Sequence, residues 1–166
     1  TVVSLGPGDP ELLTAQSLNT MKKAKRLIFR TAQHPVYAAL TEAGVQSTSL
    51  DDYYDLYEDF DEMHRDMAKV LWAEAEHHAV VFAVLDAGTD GELRAQQPQD
   101  AVLRILPGVT LADACIAQLP GNLAPFGALR TIPAEDAVTA AADPTTPLLI
   151  TEIWNRSLAC DLKLRL

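Results

Sequence analysis

An uninterrupted run of apolar and small residues, Val2 to Leu5, stops at Gly6-Pro7-Gly8 and gives way at Pro10 to an amphipathic segment. Such a run bounded by turn residues predicts a buried strand. Glu11–Lys23, with Leu12, Leu13, Leu18 and Met21 at helical spacing, predicts a helix that starts at Pro10, and Lys22, Lys23 and Lys25 suit the negative end of its dipole. The alternation continues with a strand over Arg26–Arg30, a helix over Val36–Ala43 ended by Gly44, and a strand over Val45–Leu50. A helix with the inner face Phe60, Met63, Met67, Val70 and Leu71 precedes the clearest central strand, Val80–Leu85. Then come a strand over Val102–Leu106, a helix over Leu111–Ala117, a connector from Leu119 to Pro125, a strand over Leu129–Ile132, a helix over Ala134–Ala142 and a strand over Leu148–Ile153, punctuated by Asp143-Pro144 and Pro147. Strands and helices alternating across short connectors predict an α/β layer fold with a mostly parallel sheet, in which ligands gather at the carboxyl ends of the strands.

Three loops fall at such ends. In the first, Gly6 and Gly8 permit a closeness of approach that a Cβ forbids, Pro7 stiffens the turn, Asp9 is placed as an N-cap and Pro10 as the first helical residue. A ligand lying on bare backbone and a tight turn without a ligand are both open readings. A dinucleotide fingerprint is not encoded, because the third glycine of that motif falls on Glu11. The second loop runs from Asp86 to Gly91, where Asp86 is either an acceptor for a ribose or amine or an ordinary turn aspartate. In the third, Pro107-Gly108-Val109-Thr110, Thr110 caps the following helix, whose first amides are expected to face the same crevice.

Composition narrows the partners. A net charge of −10 over 166 residues argues against a nucleic-acid backbone, leaving small molecules or proteins. No apolar run approaches the roughly 20 residues of a membrane helix and no basic leader precedes the first strand, so the expected location is cytoplasmic, away from membranes. Cys115 and Cys160 lack metal spacing and are expected to be structural thiols. Thr1 enters a strand at once and Leu166 stops within an apolar-periodic stretch, so a longer natural protein is expected. The stretch Asp51–Asp66 is the most acidic. Its Glu58-Asp59-x-x-Glu62 spacing reads either as a helical metal site or as the solvated start of a helix, and no second acidic pair follows, since Glu74 and Glu76 lie two apart. Tyr53, Tyr54 and Tyr57 are placed to cover a pocket or to pack at a loop edge, and His77 and His78 suit a helix C-terminus.

Three motifs in order, SLGPGDPELLT at Ser4–Thr14, the strand and glycine-bearing loop of Val80–Gly91, and LPGVT at Leu106–Thr110, resemble the tetrapyrrole (corrin/porphyrin) methylase family, the class III fold of S-adenosylmethionine-dependent methyltransferases. FRTAQHPV at Phe29–Val36, DDYYDLYEDFDE at Asp51–Glu62 and PLLITEIWNRSLACDLKLRL at Pro147–Leu166 resemble more closely the methylase-like N-terminal domain fused to MazG-type nucleotide pyrophosphohydrolases. The resemblance implies two α/β lobes, residues 1–108 and a partial second lobe over 109–166, with a mostly parallel first sheet and S-adenosylmethionine in the cleft between the lobes. It places Gly6, Pro7, Gly8 and Asp9 of the first loop, Asp86 and Gly88 of the second, Thr110 of the third, and Thr151 in the strand Leu149-Ile150-Thr151 at the cofactor. One departure stands out: where the family carries a G-D-P or G-H-P loop, this chain has Leu85-Asp86-Ala87-Gly88-Thr89. The implied function is methyl transfer to a small-molecule acceptor, a tetrapyrrole or another compound, by a homodimer. The alternative is a non-catalytic ligand-binding or docking domain regulating a fused or associated pyrophosphohydrolase. Asp9, His34 and Asp86 are candidates for polar duties at the acceptor, and Arg30 and Arg94 for meeting acceptor carboxylates, although an acidic chain is poorly matched to a polycarboxylate macrocycle.

Overall fold

The structure, a computed structural model, describes residues 1–88, 90–119, 129–140 and 145–165. Thr89, the Leu119–Pro125 connector beyond Leu119, and Asp143-Pro144 lie outside the described residues. The chain separates into two compact units, Thr1–Leu111 and Ala112–Leu166.

The first unit is built on a five-stranded sheet of β1 (Val2–Ser4), β2 (Arg26–Phe29), β3 (Thr48–Ser49), β4 (Val80–Val84) and β5 (Ile105–Leu106), in the order β3-β2-β4-β1-β5. Every pairing is parallel, with Val2 opposite both Phe82 and Ile105, and Ile28 opposite both Phe82 and Thr48. Alternation of side chains along the strands splits the core into two layers. Val3, Leu5, Leu27, Phe29, Val81 and Ala83 pack on one face with Met21 of α1 (Ala15–Lys23) and with Val36 and Leu40 of α2 (Pro35–Glu42). Val2, Ile28, Phe82 and Val84 pack on the other with Ala68 and Leu71 of α4 (Phe60–Ala75) and Leu93 of α5 (Gly91–Ala95). A parallel sheet covered on both faces accounts for the nearly continuous apolar runs of its central strands. Between β3 and α4 lies the short α3 (Asp52–Leu56).

The first helix departs from the sequence pattern. Pro10–Leu12 is a single 3-10 turn, with the Glu11 amide donating to Asp9 Oδ1 at 2.8 Å, and Leu13 is extended. The α-helix begins only at Ala15, capped by Thr14, whose Oγ1 accepts from the Ser17 amide at 3.1 Å. Two N-caps compete within five residues, and the second wins because it launches the segment that carries Met21 into the core. On α4 the inner face is Met63, Met67, Ala68 and Leu71, whereas Phe60 and Val70, expected inside, are 51% and 43% exposed. The helix starts at Phe60 with Asp59 as its cap, so Glu58 precedes it and does not share a helical face with Glu62. The last strand of the sheet is shorter than its apolar run, because Val102 is 88% exposed.

In the second unit β6 (Arg130–Pro133) and β7 (Leu148–Thr151) pair in parallel, with Ile132 opposite Ile150 and Pro133 opposite Thr151. Ile132, Ala134, Ala137 and Leu162 form its core, joining β6 to α7 (Ala134–Thr139) and α8 (Arg156–Arg165). Helix α6 (Leu111–Gln118) carries Cys115 and α8 carries Cys160; both thiols are free and exposed, which corrects the expectation of structural cysteines. Among the described residues no helix is long and apolar enough to cross a membrane.

Candidate functional site at the carboxyl edge of the sheet

Topology marks the carboxyl edge around β4, because the connections from both of its neighbours, β1 through α1 and β2 through α2, run on the face opposite to α5, which follows β4. Leaving β1, the chain travels through α1 to β2; leaving the neighbouring β4, it travels through α5 to β5, in the opposite direction and on the opposite face. Adjacent strands whose connections part in this way open a crevice outside their carboxyl ends. The loops after β1, β4 and β5 all start at that edge, since the strands are parallel neighbours.

Hydrogen bonds hold these loops in register. Beyond the strands proper, the Leu5 amide donates to Val84 O at 2.8 Å and the Gly6 amide to Leu85 O at 3.1 Å. The buried Ser4 hydroxyl accepts from the Ala87 amide at 2.9 Å, tying the second loop to the first strand. Gly6 and Gly8 have φ of +75° and +117°, in the region that favours glycine. A Cβ on Gly6 would lie 3.2 Å from Val109 O, and one on Gly108 would lie 2.7 Å from Ser4 Cβ. The third loop is therefore seated directly on the first; this contact requires a glycine at 108 and gives a packing reason for Gly6, one of the two glycines that the sequence suggests for ligand approach. Asp9 and Asp86 each turn back on their own loop: Asp9 Oδ1 takes the Glu11 amide at 2.8 Å and Asp86 Oδ1 the Gly88 amide at 2.9 Å. Thr110 follows the third loop and directly precedes α6. Gly6, Pro7, Gly8, Asp9, Asp86, Gly88 and Thr110 thus gather on loops of one edge, while Thr151 ends β7 in the second unit, followed by Glu152 at φ +61°, an uncommon conformation for a residue with a Cβ.

His34 has a different task from acceptor chemistry. Its Nδ1 accepts the Val36 amide at 3.3 Å as the cap of α2, which leaves the proton on Nε2, and Nε2 lies 3.0 Å from Gly6 O and donates to it. Both ring nitrogens are committed, and α2 is clamped to the first loop. Arg30 is committed as well: its Nη2 donates to the buried Asp90, which also caps α5 through the Leu93 amide at 3.3 Å. Its Nε is buried without a partner among the described residues, and its guanidinium carbon lies 5.5 Å from the Phe82 ring centroid. Arg94 is exposed on α5.

A cavity of about 400 Å³ opens beside the loops at the ends of β1, β2 and β4, with Arg30, Thr31, His34, Tyr54, His64 and Leu85 on its wall. Sequence reasoning singled out Tyr54 only as one of three tyrosines and did not identify His64; the latter's signal was its position one residue after Met63 on the helix that covers the sheet. Tyr53 and Tyr57 instead stack on each other, with ring centroids 5.9 Å apart, and the Tyr57 hydroxyl donates to Asp66 at 2.7 Å, a bond that pushes its phenol up to about 12. A second cavity, of about 380 Å³, lies at the amino ends of the strands near Trp72 and Val102, where the topology offers no parting of connections. Among the described residues no group of three or more histidine, cysteine, aspartate or glutamate side chains is placed to hold a metal.

Comparison with known proteins extends these observations. The model of the Tetrapyrrole (Corrin/Porphyrin) Methylases matches residues 1–166. The uncharacterized protein YabN of Bacillus subtilis is 26% identical over 175 residues, a match that spans all of this chain and 35% of that protein. Among solved structures, a cobalamin-synthesis-related protein (CobF) of Corynebacterium diphtheriae superposes with a TM-score of 0.59 at 17% identity, over 90% of this chain and 69% of the other. The uroporphyrin-III C-methyltransferase of Thermus thermophilus, solved with S-adenosylhomocysteine, gives 0.53 at 21% identity, over 80% of this chain and 54% of the other. At these identities the two structures establish a shared fold.

Proposed function

The chain belongs to the tetrapyrrole (corrin/porphyrin) methylase family, and from that premise we propose that it is an S-adenosylmethionine-dependent methyltransferase domain whose cofactor lies against the loops after β1, β4 and β5. The observation that carries this reading is the convergence of those loops at the parting of the β1 and β4 connections. The uroporphyrin-III enzyme of the same fold was solved with S-adenosylhomocysteine, which supports the choice of cofactor.

The residues present suit such a ligand. S-adenosylmethionine supplies a methyl group on a positively charged sulfonium, together with an ammonium and a ribose. Gly6 and Gly8 present backbone without a side chain, the carboxylates of Asp9 and Asp86 lie on the first and second loops, and an overall charge of −10 favours a cationic ligand over an anionic one. Methyl transfer demands alignment of donor and acceptor more than a strong catalytic base. Here the chain's contribution is positional: Ser4 fixes the second loop, Gly108 seats the third, and His34 holds the first. We also propose, on the resemblance and the YabN match, that a natural protein carrying this chain includes an associated nucleotide pyrophosphohydrolase domain.

Calorimetric titration of S-adenosylhomocysteine into the full natural protein tests the reading. Saturable binding at roughly micromolar affinity is expected. A folded protein that takes up no cofactor would replace it with the docking-domain reading, which the altered Leu85–Thr89 loop favours.

A further inference from the structure

The cavity at the ends of β1, β2 and β4 has a wall with no net positive charge. Arg30 is paired with the buried Asp90. Thr31 Oγ1 donates to Asp51 at 2.5 Å and the Ala32 amide donates to the same carboxylate at 2.8 Å. Burial alone would raise the Asp51 carboxyl, but its donors Thr31, Ser49 and Ala32 together hold it below the usual aspartate value, so it stays ionised and engaged. His34 is committed to Gly6 and Val36.

Three polar side chains of the wall remain: the Gln33 amide, the Tyr54 hydroxyl and the His64 imidazole. Among the described residues none of the three has a side-chain hydrogen-bond partner. Burial pushes the Tyr54 phenol up, with Asp51 adding to the shift and Arg30 opposing it. Burial and then the Arg30 guanidinium hold His64 below the ordinary histidine value, against Asp90, Asp61 and Glu92, which pull the other way. At neutral pH all three are uncharged, and each both donates and accepts. The remainder of the wall, including Leu5, Pro35, Val84 and Leu85, is apolar.

A carboxylate entering this space would meet the ionised Asp51 and an Arg30 guanidinium already neutralised by Asp90, which is unfavourable. A flat uncharged group with an apolar body and a hydrogen-bonding edge would find partners for both. We infer that this cavity receives the methyl acceptor through an uncharged, flat, hydrogen-bonding group and not through carboxylates, an assignment of acceptor class that rests on the methyltransferase reading.

Benzamide and benzoate, equal in shape and different in charge, test the inference on the full natural protein at neutral pH, with the His64 ring resonances followed by NMR. Benzamide is expected to shift them saturably, and benzoate to bind at least about tenfold more weakly. Replacing Gln33 with Ala and Tyr54 with Phe together should weaken benzamide by about tenfold at unchanged melting temperature, because neither side chain supports the core. Benzoate binding at His64 as tightly as benzamide, or neither probe reaching His64, would overturn the assignment. The readout needs no cofactor: a protein that binds S-adenosylhomocysteine but not benzamide refutes the acceptor class alone, whereas one that binds benzamide but no cofactor refutes the methyltransferase reading and the acceptor role with it.

Discussion

Gly108 shows how a single residue can set the site. With Ser4 Cβ only 2.7 Å from where its own Cβ would stand, the third loop closes on β1 by using the absence of a side chain. Gly108→Ala must push the loop away from Ser4, and overpacking of this kind costs about 1–3 kcal/mol. Urea denaturation should show that loss, while Gly91→Ala, with nothing within 4 Å of the added methyl, should be near neutral. Equal stability of the two variants would mean that the loops are not packed as described. The same residues mark the limit of the sequence reading. That Gly6 and Gly8 are glycines for geometric reasons was legible in the motif; that Val109 fills the space beside Gly6, and that Ser4 of β1 leaves no room for a side chain at Gly108, was not, because Val109 and Ser4 approach them only once β1 and β5 pair. His34 was legible as a residue before proline and illegible as a clamp, since its partner Gly6 is 28 positions away.

At the level of elements, alternating apolar runs were enough to place the strands, and the two-layer core follows from their period of two. Boundaries were less legible where local signals compete. Asp9-Pro10 and Thr14 are both good helix starts, and only the packing of Met21 decides between them. Thr14→Ala removes the acceptor for the Ser17 amide, and since Ser17 is fully buried its amide has no water to turn to. A loss of about 1 kcal/mol, up to about 2, is expected in thermal unfolding, and Asp9→Ala should cost less because its 3-10 turn buries nothing. The reverse order would show that the helix starts at Pro10 after all. On α4, amphipathic counting placed Met63, Met67 and Leu71 inside but also Phe60 and Val70, because helical spacing defines a stripe without fixing its edges.

Across the whole molecule, the chain spans about a third of YabN, and its two units each enclose a core of their own. The central claim is that the carboxyl edge of β4-β1-β5, and no other part of the first unit, holds S-adenosylmethionine. Ultraviolet cross-linking of methyl-labelled S-adenosylmethionine to the full natural protein, followed by peptide mapping, tests it most directly. The account predicts label, displaced by S-adenosylhomocysteine, in peptides covering Leu5–Asp9, Leu85–Gly88 or Pro107–Thr110. Displaceable label on the peptides around Trp72 and Val102, at the cavity on the amino edge of the same strands, would contradict it.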